Sequence, residues 1–246
     1  MAPRRRSTST DLVYDKILQK IMSEHLQPGT PLREERIAEE FGVSATPVRE
    51  AFRRLEYEGW LQRFPYRGCV LHKFSRDELC EIYALRGMLE GLAAAAAARR
   101  ATAREIEAIR CAVDNERAYI DAETSSRGKT AFSPSLESDI DFHRAVASAA
   151  GNKLLLQRLS TLNAQVSVAF LVAYALMSPV EELERVHAEH KMILGAIERR
   201  WSDAAELLMR RHIGDASPRM LIAEPPPESE SRRRTEKRCA SVGHEK

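Results

Sequence analysis

The sequence changes character once, near Ser75, and that change constrains the fold more than any other feature. From Arg76 to about Met220 apolar residues recur at helical spacing, and no segment reads as a strand. The spacing predicts helices over about 76–99, 102–122, 136–149, 152–176, 180–199 and 203–214, with a polar loop over 123–134. Consecutive helices without a sheet must bury their apolar stripes against one another, which makes this part an all-α bundle. The alanine run Ala93 to Ala98 favours helix and lets a neighbouring helix approach closely.

Before Ser75 the pattern is mixed. Val13, Ile17, Leu18 and Ile21 keep a helical period from Leu12 onward, up to a turn at Pro28-Gly29. A second helix covers about 33–41 and stops at Gly42. A third runs from near Ser44 to about Glu58, with Gly59 as its stop. The segment WLQRFPYRGCVLHKF then reads as two short strands joined at Pro65-Tyr66-Arg67-Gly68. Three helices and a hairpin make a winged helix-turn-helix, so the expected fold is mainly α, a winged unit followed by a helical bundle. The expected boundaries are a basic, disordered tail over 1–10, the winged unit over 11–74, the bundle over 75–222 and a disordered tail over 223–246.

Composition excludes more than it selects. A net charge of +2 over 246 residues does not by itself argue for nucleic acid, and the two arginine triplets, Arg4 to Arg6 and Arg232 to Arg234, fall in the expected tails. The cysteines at 69, 80, 111 and 239 form no C-x-x-C pair, so neither a disulfide framework nor a zinc ribbon is indicated. No signal peptide is visible, and the longest apolar run, Val166 to Met177, is too short to cross a bilayer. A cytoplasmic protein with no membrane partner is expected.

The turn FGVS joins the second and third helices, and Ser44 or Thr46 is placed to cap the third. Val48, Ala51, Phe52 and Leu55 form its inward stripe. The outward edge carries Ser44, Thr46, Arg49 and Arg53, donors suited to phosphates and guanine edges. Arg36 on the second helix and Arg67-Gly68 at the wing tip complete the expected DNA surface. The competing reading of this unit is a winged helix used for protein contacts.

In the bundle, Asp139 and His143 share one helix face at i, i+4, and two further helices carry His190 and His212. Imidazoles and a carboxylate on facing helices suit a divalent metal such as zinc, nickel or manganese. Spacing alone leaves the alternative open that each histidine is an ordinary core or surface residue. His187, three residues before His190, faces nearly the same side.

Residues 12–72 resemble the winged helix-turn-helix of GntR-type bacterial transcription regulators. The likeness rests on Pro28-Gly29, Leu32, Ala38, Gly42-Val43-Ser44, Thr46 to Ala51, Leu55, Glu58-Gly59 and Gly68. Many members carry arginine where this chain has Ala45, so one DNA contact is in question. Residues 76–214 resemble the ligand-binding FCD domain of the FadR branch, through Asp139-Ile-Asp-Phe-His143, Gly151-Asn152, the Glu189-His190 segment and a final Met209-x-x-His212. The resemblance implies that Asp139, His143, His190 and His212 hold the metal and that His187 does not. It also implies that Arg86 anchors an anionic effector, and that Asn152 either faces the cavity or caps the next helix. The implied protein is not an enzyme. It is a homodimer, paired through the first and fourth long helices of the bundle. Its affinity for double-stranded operator DNA would be set by a small carboxylate at the metal. Alternatives are a direct metal sensor and a metal-dependent enzyme, although no nucleophile motif accompanies the site.

Overall fold

A computed structural model describes residues 8–23, 26–65, 68–126, 133–173 and 179–222. The winged unit consists of α1 (Ser9–Ser23), β1 (Pro31–Leu32), α2 (Glu34–Phe41), α3 (Ala45–Tyr57), β2 (Leu61–Phe64) and β3 (Gly68–Leu71). The bundle consists of α4 (Arg76–Arg100), α5 (Ala103–Ser126), α6 (Ser133–Ala149), α7 (Lys153–Ala173), α8 (Pro179–Glu198) and α9 (Ser202–Ile222). The expected class, a winged helix-turn-helix followed by an all-α bundle, is the one observed.

The details differ in several places. The expected polar loop over 123–134 is shorter, since α5 runs on to Ser126 and α6 begins at Ser133. The first helix begins at Ser9, inside the expected tail, because Thr8 and Asp11 cap it reciprocally. The sheet has three strands in the order β1-β3-β2, since Pro31 and Leu32 pair antiparallel with Val70 and Cys69. The backbone of α9 continues to Ile222, past Gly214 and Pro218, where a stop was expected at 214. The tails at 1–7 and 223–246, and the wing-tip residues Tyr66 and Arg67, lie outside the described residues.

Local chemistry fixes the elements that matter for function. Gly42 ends α2 in the left-handed region, at φ 63°, where a side chain would be strained, and so allows the sharp turn into α3. Ser44 is the residue preceding α3, but its hydroxyl makes no capping bond and stays exposed. Ser75 and Glu78 close a capping box at the start of α4, and Thr102 and Glu105 bond in the same way before α5.

Two cores result. The winged unit buries Val13, Ile17, Ile21, Phe52, Leu55 and Leu71 together, while the bundle buries Ile109, Phe142, Ile193, Ile197 and Met209 among its alanines. The units touch where Ile82, Ile140 and Ala164 of the bundle pack on the winged core. They touch again at Gly59, where a Cβ would stand 2.6 Å from Gln165 Cγ of α7.

Candidate metal centre

Four elements of the sequence pattern converge in the bundle interior. Helix α6 presents Asp139 and His143 from successive turns, α8 presents His190, and α9 presents His212. One donor atom from each of the four lies within 4.8 Å of the others. His190 Nε2 is 3.2 Å from His212 Nε2, which is 3.3 Å from His143 Nε2. Asp139 Oδ1 stands 3.9 Å from the Nε2 atoms of both His143 and His190. The three imidazoles are buried, whereas the Asp139 side chain is 33% exposed. Phe142 stacks on the His190 ring at 3.8 Å, which fixes the ring plane.

This arrangement fits a metal ion. Nitrogens about 2.1 Å from a shared ion stand roughly 3.0–3.4 Å apart, and His212 Nε2 stands in that range from the Nε2 atoms of both His190 and His143. With each ring protonated at Nδ1 and no cation present, their lone pairs would face one another, which is unfavourable. The fit also extends outward. His190 Nδ1 meets Glu116 Oε1 at 2.7 Å, His212 Nδ1 meets Glu189 Oε2 at 2.6 Å, and His143 Nδ1 pairs with Glu90.

The electrostatics favour neutral imidazoles at His190 and His212. Burial pushes His190 well below the ordinary histidine value, and the neighbouring imidazoles push the same way. Burial lowers His212 too, partly offset by Glu189. Burial alone would raise Glu90, but Arg86 and His143 outweigh it and hold it at about 2. Glu116 has no such cation. Burial, and then the charge of Asp139, push it up to about 9 in the metal-free chain, and a cation at the centre acts in the opposite direction.

His187 is buried but belongs to no ligand cluster, and its Nδ1 lies 3.4 Å from Glu116 Oε2. Arg86 is buried against Glu90, with Nε and a terminal nitrogen 2.9 and 2.7 Å from the same oxygen, and it feels the charge of Asp139. Asn152 is exposed and accepts the amide hydrogens of Leu154 and Leu155 at 3.1 Å, so it caps α7. Sequence reasoning missed Glu116 and Glu189. Glu116 had a signal: it interrupts the stripe Ile109, Ala112, Val113, Ile120 as the lone acid at an inward position.

In the winged unit, Arg36, Ser44, Thr46, Arg49, Arg53 and Gly68, the expected DNA contacts, are all exposed. Arg49 lies 3.5 Å from Glu34 and Arg53 2.9 Å from Glu50, exposed pairs that a phosphate can outcompete at little cost.

Comparisons with known proteins cover both units of the chain. Residues 9–71 match the family described as bacterial regulatory proteins, gntR family, and residues 81–215 match the FCD domain. The chain belongs to the gntR family of bacterial regulatory proteins, with an FCD domain. A relative from Paenarthrobacter nicotinovorans, named "Probable D-xylose utilization operon transcriptional repressor", is 30% identical over 208 residues, 85% of this chain and 87% of that protein. The HTH-type transcriptional repressor RspR of Escherichia coli K12 is 28% identical over 205 residues, 83% of this chain and 86% of its own length. Among solved structures, E. coli McbR/YncC has the same fold, with a TM-score of 0.74 at 18% identity over 87% of this chain and 98% of that one. Among the described residues of this family member, no helix is long and apolar enough to cross a membrane.

Proposed function

We propose that this protein is a cytoplasmic, homodimeric transcription regulator rather than an enzyme. A divalent metal held by Asp139, His143, His190 and His212 receives a small carboxylate effector, and that binding sets the affinity of the winged units for operator DNA. The observation that carries the reading is the convergence of three buried Nε2 atoms and one carboxylate oxygen inside the FCD domain of a gntR-family chain. The metal supplies a positive centre for a carboxylate. The exposed side at Asp139 gives the effector a route in, and Arg86, close enough to feel Asp139, supplies a second cationic contact.

Pairing through α4 and α7 has physical support. Leu85, Met88 and Leu92 stand exposed at i, i+3 and i+7 on α4, and Leu154 is exposed on α7. Such a stripe is expensive in water and cheap against a second copy. Arg49, Arg53, Ser44 and Thr46 at the start of α3, with Arg36 and the Arg67-Gly68 wing tip, form the DNA-contacting set.

The test is a titration of a duplex selected from a random pool by the protein itself. Affinity is measured metal-free, with zinc, nickel or manganese, and with metal plus a panel of small mono- and dicarboxylic acids. An acid that changes DNA affinity only when metal is present supports the reading. A response to metal alone makes the ion the signal, and no response to any combination overturns the effector role. Sedimentation of the full chain as a monomer at micromolar concentration would overturn the dimer.

A further inference from the structure

We propose that Glu90, Glu116 and Glu189 are positioning residues of the metal centre, each accepting the Nδ1 hydrogen of one ligand histidine so that all three Nε2 lone pairs point at the same ion. The proposal rests on the metal reading above and extends it to residues outside the ligand set.

A neutral imidazole has one N–H, and the bond made by one nitrogen decides which face of the ring can bind metal. An ion on Nε2 requires the proton on Nδ1, and that N–H then needs an acceptor in a buried site. Each of the three rings has a carboxylate beside its Nδ1, and each carboxylate comes from a different helix: Glu90 from α4 in ionic contact with His143, Glu116 from α5 bonded to His190 at 2.7 Å, and Glu189 from α8 bonded to His212 at 2.6 Å.

The acceptors are themselves gripped from behind. Arg86 holds Glu90, Arg185 holds Glu189, and His187 approaches the second oxygen of Glu116 at 3.4 Å. The centre is therefore layered, with ligands inside, carboxylates around them and cationic or imidazole groups outside. His187, which resembles a ligand in the sequence, falls in the outermost layer.

The experiment uses the full-length protein, stripped of metal with a chelator and titrated with Co(II). Affinity is read by chelator competition, and ligand geometry by the cobalt d–d absorption. Glu116→Gln and Glu189→Gln keep the side-chain volume while removing the charge. Each should weaken cobalt binding by about 10- to 100-fold and shift the absorption bands, while metal-free thermal unfolding stays close to that of the unchanged protein. Glu116→Ala should weaken binding at least as much, and if it fails to fold the glutamine variants decide the question. Unchanged affinity and spectrum in both glutamine variants would overturn the positioning role. Failure of the unchanged protein to bind cobalt, or full binding by His190→Ala, would instead overturn the underlying metal reading.

Discussion

The two cores of this chain are built on opposite principles. The winged core is filled by Val13, Ile17, Ile21, Phe52, Leu55 and Leu71, and its charged pairs, such as Arg63 with Glu56 and Glu34, lie on the outside. The bundle instead places four imidazoles and the acids Glu90 and Glu116, with Arg86, among the buried positions. Burying polar groups costs free energy that apolar side chains of similar size would not, so their presence at the centre signals a binding task. One region needs nothing but its own side chains. On the proposed reading, the other is complete when a cation joins it.

That contrast can be broken by exchanging the insults. Phe52→Ala removes a fully buried ring from the winged core and should cost about 3–5 kcal/mol, with loss of DNA binding. Metal binding should survive at temperatures where the bundle remains folded, read by cobalt absorption alongside thermal unfolding. Loss of both functions together would show that the two cores are one cooperative unit.

A metal-centred insult should do the reverse. Metal at a hundredfold its Kd should stabilise the unchanged protein by about 2.7 kcal/mol and His190→Ala by nothing, while DNA binding of the metal-free forms stays equal. A metal-dependent rise in melting temperature in His190→Ala would remove that residue from the ligand set. On the winged side, Arg49→Ala should cost about 1–3 kcal/mol of DNA affinity if the side chain reads a base, with the loss confined to specific sequences. A uniform loss with a shallower salt slope would assign it to phosphate, and unchanged binding would drop it from the surface.

The smallest effect expected is on pH. Burial holds His190 and His212 below the ordinary imidazole value of 6.5, so at these two ligands protons compete with the metal only below that value. Occupancy should persist at pH 6.5 and fall as the pH drops further. In the metal-free chain the unfolded form takes up these protons before the folded form does, so stability present above pH 6.5 declines on acidification. Occupancy already half lost above pH 7 would contradict the assignment of buried neutral ligands.

What the sequence made visible follows from the range of each interaction. The turn between α2 and α3 was legible because Gly42 and the alternation of Val48, Ala51, Phe52 and Leu55 are local signals. The pairing of Asp139 with His143 was legible for the same reason. Their union with His190 and His212 came from the resemblance, since spacing alone does not say which faces of separate helices meet. Strand β1 was missed because its partners Cys69 and Val70 lie far along the chain and two residues carry no period. The outer acid Glu116 was missed because its partner His190 is 74 residues away. The continuation of α9 past Gly214 and Pro218 shows that local stop signals can be overridden.

The contact between Gly59 and Gln165 has a mechanical consequence. Helix α3 is 13 residues long, a rigid arm of about 20 Å, and its far end carries Ser44 and Thr46. Its near end is seated against α7. If that seat tilts the arm by about 5°, the tip sweeps through roughly 1.7 Å, several times the few tenths of an ångström over which a hydrogen bond keeps its geometry. In a symmetric pair the two tips move in opposite senses, so the span between them changes by up to twice that distance. A duplex offers major grooves at a fixed repeat of about 34 Å, and cannot follow such a change without bending. A displacement too small to notice at the seat is thus amplified into a mismatch of rulers at the DNA.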